Sequence, residues 1–145
     1  MSKKETIHVQ QELKEKYYGD AMRYMDNAKE YLKNAKKEGY IYRDTKYVRT
    51  ACSTAYSGLL IAMDGFLILK GIEKYPKKRK SIEFYQENLG KINRKMLDDL
   101  NIAYKILHLY GYYDGLDDAV VVKRGFDVAQ NLIEKIKPTN GAIKN

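Results

Sequence analysis

The sequence has one cysteine, two prolines and no tryptophan in 145 residues. The lone Cys52 excludes an intramolecular disulfide and any multi-cysteine zinc site. Prolines stand only at Pro76 and Pro138, so long stretches are free of helix breakers. Closely spaced turn signals and alternating strands, which a sandwich or barrel requires, are missing, and the class is all-α. Histidine is scarce too: with only His8 and His108, a histidine-rich metal site is not expected, and no cofactor is implied. Neither G-x-x-x-x-G-K-[ST] nor G-x-G-x-x-G occurs, so no glycine-rich phosphate loop is present. The longest apolar run, Gly58 to Leu69, is about 12 residues and is interrupted by Asp64, against about 20 for a membrane span. Met1 to Gln11 is polar and charged, without a signal-peptide pattern, and the expected compartment is the cytoplasm, away from any membrane.

What is present is charge and tyrosine. Formal net charge is +8, and residues 72–96 hold eight basic against three acidic side chains, a local excess of +5. The basic loop Glu73–Lys80 makes Lys77, Lys78, Arg79 and Lys80 candidates for holding an anion such as RNA; the plainer reading is a solvated connection kept soluble by lysine. Of the 14 tyrosines, Tyr40, Tyr42, Tyr47, Tyr75, Tyr85, Tyr110, Tyr112 and Tyr113 fall at or near expected helix ends. Tyrosine buries a ring and keeps its hydroxyl in water, which suits rims and interfaces. Together with the basic loop such rings would also stack on single-stranded RNA.

Apolar periodicity gives four substantial helices and one short one. Residues 1–8 read as a flexible start, 9–137 as a single helical domain and 138–145 as a polar tail. Ala21, Met25, Ala28, Leu32 and Ala35 recur every three or four residues in a first helix from about Val9 to Glu38, which Gly39 would end. Asp44 or Thr45 caps a second helix running to about Lys70. Ser81 caps a short helix stopped at Gly90. A fourth runs from about Ile92 to Tyr110 or Tyr113, with Gly111 and Gly115 loosening its end, and Asp117 is placed to cap the last. One apolar face per long helix and short connections predict an up-down four-helix bundle with one additional short helix.

The second helix is the most informative segment. Ala51, Ala55, Gly58, Ala62 and Gly65 are spaced four, three, four, three and line one side, beside Cys52, Tyr56, Leu59, Met63 and Phe66. A stripe without bulk lets another helix backbone approach closely, either within the chain or at a homodimer seam. Cys52 reads as a small core residue, and Asp64 as a rim residue on a polar strip with Thr50, Ser53 and Ser57.

The string Tyr47-Val48-Arg49-Thr50-Ala51-Cys52-Ser53-Thr54-Ala55-Tyr56-Ser57-Gly58-Leu59-Leu60 resembles the second helix of HEPN-domain proteins. Ala28 to Ala35 is similar to their first helix, and Leu107 to Asp114 to their late-helix region. The resemblance spans about residues 28–137 and is closest to a small bacterial branch of unknown function. It implies a helical bundle, a homodimer, and contact with RNA or with a nucleotidyltransferase-type partner. The RNase members carry R-x(4–6)-H, which is absent here: the nearest arginine before His108 is Arg94, and His108 itself stands at the arginine position. The expectation is therefore a non-catalytic binding or assembly module. The enzyme alternative would be a divergent RNase using His108, an imidazole able to exchange protons near neutral pH, with Tyr112 or Asp114.

Overall fold

A computed structural model describes residues 2–72 and 80–139. It is all-α apart from one tiny hairpin. Among the described residues five α-helices follow in order, α1 (Lys3–Asn34), α2 (Thr45–Leu69), α3 (Ile82–Ile92), α4 (Arg94–Ala103) and α5 (Ala119–Ile133). A π-helix, Tyr104–Tyr113, continues α4, and a 3-10 turn, Glu134–Ile136, continues α5.

Ser2 caps α1 by accepting the Glu5 N–H, so the helix begins at Lys3, well before the expected Val9. Its buried residues Tyr17, Ala21, Met25 and Ala28 form one stripe, which lies against α2. The helix also stops earlier than the expected Glu38. After Ala35 the backbone turns left-handed at Lys36 (φ 53°) and forms a hairpin of β1 (Lys37–Glu38) and β2 (Ile41–Tyr42), in register Lys37 with Tyr42 and Glu38 with Ile41. Gly39 (φ +62°) makes the turn rather than ending the helix. The returning strand donates the Arg43 and Asp44 N–H groups to the carbonyls of Lys36 and Ala35, which satisfies the end of α1 without another helical turn.

Asp44 caps α2 through the Lys46 N–H, as the sequence predicts. The helix packs on α1, α5 and the π-helix, and eleven of its residues are buried, from Val48 to Leu67. By length and composition it could cross a bilayer, yet half of its most apolar stretch is buried inside the fold. It is the core helix.

Ser81 caps α3 through the Phe84 N–H. The helix runs through Gly90, where a Cβ would meet only Leu97 at 3.2 Å, and breaks at Asn93 (φ −156°). The Asn93 side chain then caps α4 by accepting the Met96 N–H. The cap of α5 is Asp118, not Asp117: its Oδ1 accepts from Val120 and Val121 at 2.9 and 3.2 Å. The Asp117 carbonyl is already engaged by the Tyr42 N–H at 2.8 Å, which fixes that residue as the last of the extended segment. Together with Ala119 N–H to the Tyr40 carbonyl, this ties the hairpin to the start of α5.

Candidate functional site

The small-residue stripe of α2 is consumed inside the chain. Ala51, Ala55 and Ala62 are fully buried. A Cβ on Gly58 would lie 2.9 Å from the Ala21 carbonyl oxygen and 3.0 Å from Tyr24 Cβ, and one on Gly65 2.6 Å from Tyr17 Cβ. Those neighbours all belong to α1, so the stripe seats α1 and is not open to serve as a seam between two chains.

The adjacent side of α2, with Cys52 and Tyr56, meets the π-helix. Gly111, expected only to loosen a helix end, is buried there, and a Cβ on it would collide with Cys52 Sγ. Burial pushes the Cys52 thiol up to about 12, far from the reactive thiolate range. Bonding from i to i+5 makes residues four and five apart neighbours on a π-helix. His108 accordingly lies beside Tyr104 and Tyr112, four away on either side, and beside Tyr113, five away. Ring centroids are 5.4, 6.0 and 5.1 Å from the imidazole, the first two stacked and the third edge-on. Tyr56 of α2 closes the cluster, stacked on His108 at 4.9 Å. Burial, followed by the charges of Tyr104 and Glu83, drives the Tyr56 phenol above its ordinary range.

Of the expected trio, His108 and Tyr112 come together as stacked rings. Asp114 does not join them: it ends the π-helix, exposed, and among the described residues no hydrogen bond or ion pair links it to His108. Burial also lowers the His108 pKa below its ordinary 6.5. The sign of the consequence follows by linkage: the unfolded chain takes up the proton more readily, so the native state loses stability as pH falls below about 6.5 and through the lower folded value. Replacing His108 by phenylalanine is expected to flatten the slope of melting temperature between pH 7.5 and 5.5. An unchanged slope would show that other groups carry it.

Sequence reasoning missed Arg49. From the first turns of α2 its Nη1 donates to the carbonyls of Tyr112 and Tyr113 at 2.9 and 2.6 Å. A cation at a helix C-terminus meets the carbonyls left without intrahelical donors. Gly115 (φ +65°) packs under the guanidinium, where a Cβ would come within 2.9 Å of Cζ. Tyr112 and Tyr113 are thus held outward at 40% and 60% exposure.

The basic loop reads differently in the structure. Lys77, Lys78 and Arg79 lie outside the described residues. Lys80 is not an open anion-binding cation: its side chain is 2% exposed, with Nζ 2.8 Å from Asp64 Oδ1. The same carboxylate oxygen accepts the Tyr85 hydroxyl at 2.8 Å. Asp64, expected at a rim, is 18% exposed and joins α2 to the start of α3.

A second surface was also not foreseen. Between α4 with its π continuation and α5 runs a cleft of about 480 Å³ on Ile102, Ile106, Tyr110, Val120 and Val121, with Lys105 and Arg124 at its sides. It continues into a further hollow of about 430 Å³ that shares Ile102 and Arg124 and adds Val128, Lys95 and Lys135. Gly125 marks the base of the cleft: a Cβ there would lie 2.5 Å from Ile106 Cγ2, so α5 approaches the π-helix closely at that point. Asp99, the acid in the second hollow, is bound by Lys95 at 2.8 Å.

The fold and its surfaces define a small all-α protein with a tyrosine-rich rim and a basic-sided cleft. Residues 16–138 match the family model described as a domain of unknown function, DUF5618, and the chain belongs to that family. A solved structure described as a protein of unknown function from Dyadobacter fermentans is 37% identical and superposes with a TM-score of 0.74. The alignment covers 85% of this chain and 94% of that one. No curated protein matches the chain.

Proposed function

We propose that the chain is a cytoplasmic, non-catalytic binding and assembly module that works as a homodimer. In this reading α1, α2, the α4–π rod and α5 form an up-down four-helix bundle of HEPN type, with α3 as the additional short helix. The carrying observation is the outward pair Tyr112 and Tyr113, 5.1 Å apart and edge-on, backed by His108 and anchored through their carbonyls to Arg49. Rings held rigid yet half exposed lose little entropy on contact, which suits an interface better than a reaction centre. The occupant in this reading is a second copy of the chain.

Light scattering at about 50 µM tests the reading. The dimer mass is expected for the unaltered chain, and the monomer mass for Tyr112→Asp/Tyr113→Asp at unchanged helical content, because each buried aromatic anchor contributes about 2 kcal/mol or more. A monomer in the unaltered protein overturns the dimer. RNA turnover that disappears in His108→Ala overturns the non-catalytic assignment.

A further inference from the structure

The cleft between α4 with its π continuation and α5 differs in kind from the tyrosine face. Its floor is apolar at the α4–π end, on Ile102, Ile106 and Val121, and beyond Val128 it becomes polar, with Lys95, Asn131 and Lys135. Its sides carry Lys105, Arg124 and Lys135, while its one carboxylate, Asp99, is already taken by Lys95. Val120 and Tyr110, at the mouth, are 60% and 39% exposed. The apolar surface extends onto Ile41, 48% exposed, which pairs with Asp118 immediately before α5. From Val120 to Val128 the apolar part follows α5 for about 12 Å at 1.5 Å per residue, a little over two turns of a guest helix.

We propose that this cleft binds an amphipathic helix of another protein, one with aliphatic residues at i, i+3, i+4 and i+7 flanked by aspartate or glutamate. A parallel apolar floor between two rods is the shape into which one helix lays its apolar stripe. Charge selects the guest. Three cations for which no ion pair occurs among the described residues oppose a second copy of the same cleft and reject basic helices, whereas carboxylates beside the apolar stripe meet Lys105 and Arg124 on one flank each. Nucleic acid fits the cations but leaves the aliphatic floor uncovered.

The test uses a fluorescent synthetic helix with leucine at those positions and glutamate flanking them. A second helix carries the same leucines flanked by lysine, and an oligouridine serves as the nucleic-acid probe. Anisotropy is expected to show micromolar binding of the glutamate helix, at least tenfold weaker binding of the lysine helix, and weakening with added salt. Lys105→Glu/Arg124→Glu is expected to reverse that preference. Both changes are on exposed side chains, and unaltered helical content verifies the fold. Val121→Lys is expected to abolish binding of either helix, and amide shifts on titration should map to residues 102, 106 and 121. Equal binding of the two helices, an unaltered preference in the double variant, or oligouridine displacing the helix would each overturn the proposal. So would a dimer that Val121→Lys dissociates, since a second copy would then occupy the cleft. Tyr112→Asp/Tyr113→Asp is expected to leave helix binding intact, which separates this inference from the dimer.

Discussion

Replacing Gly58 by leucine is expected to destabilise the fold by about 3 kcal/mol or more, the upper end for overpacking a core. The reason lies in what the new side chain would meet. A Cβ alone would sit 2.9 Å from a backbone oxygen of Ala21 and 3.0 Å from Tyr24 Cβ, and neither is the far end of a flexible side chain. Relief requires α1 to move away from α2, which uncovers Met25 and Ala28, both without solvent exposure. For a chain of this size the melting temperature should fall by roughly 6–12 °C. Alanine at the same position is the sharper case, because two effects compete. It gains about 1 kcal/mol of helix propensity and loses about 1–3 kcal/mol to crowding, so the net change is expected to be destabilising but smaller. Gly19 is the internal control: it lies in α1 with nothing within 4 Å of an added Cβ. Gly19→Ala should therefore raise stability by about 0.5–1 kcal/mol. Thermal unfolding of the three variants checks the ordering, and a Gly58→Leu protein that melts with the unaltered one would refute the close α1–α2 contact.

That a helix backbone approaches the small-residue stripe of α2 was legible because it depends on a local periodicity; that the partner is α1 and not a second chain was not. Glycine and alanine at four-three spacing on α2 meet a stripe at similar spacing on α1, and both patterns are contained in single helices. The caps at Asp44 and Ser81 were legible for the same reason: a side chain bonding a backbone N–H two or three residues away is a local event. What escaped was set across the chain. The end of α1 is fixed by bonds that arrive from Arg43 and Asp44, and the cap of α5 by a strand contact from Tyr42. No window around Lys36 or Asp117 contains those partners. Arg49 bonds carbonyls 63 and 64 positions away, and in sequence it is one more basic residue on a charged first turn. The cluster around His108 was half visible. Tyr104 and Tyr112 stand four residues to either side, but Tyr113 reaches the ring only because the helix winds with π bonding, and Tyr56 only because α2 crosses there. The cleft was invisible for a different reason: Ile102, Ile106 and Val121 look like core residues by type, and only the assembled fold shows a cleft running along them.

Removing the Lys80 ammonium is expected to cost about 2–3 kcal/mol, less than the roughly 3–5 kcal/mol of a fully buried ion pair because the Asp64 side chain stays 18% exposed. The variant is Lys80→Met, which keeps most of the aliphatic stem where it passes the rings of Phe84 and Tyr85, 5.8 and 5.9 Å from Nζ. What remains is the Asp64 carboxylate, 18% exposed, with the Tyr85 hydroxyl 2.8 Å from Oδ1. One neutral donor does not replace an ammonium, so the uncompensated charge must draw in water, take up a proton or detach α3 from α2. The double variant Asp64→Leu/Lys80→Met should be closer to the unaltered protein than Lys80→Met is, because it removes the stranded charge along with its partner. Tyr85 then loses its hydrogen bond to Asp64, worth about 1 kcal/mol, which keeps the double variant from full recovery. A denaturant-unfolding cycle over the four proteins measures this coupling. Two single losses that simply add would mean that Lys80 and Asp64 act independently and that α3 is held to α2 by packing of Tyr85 and Leu89 alone. A large coupling with near-recovery would show that the pair fixes where α3 begins, at its Ser81 cap. The same experiment bears on the basic loop. If Lys80 is committed to Asp64, replacing it should change stability and leave salt-dependent binding of oligouridine unaltered, whereas an anion-binding lysine would show the reverse.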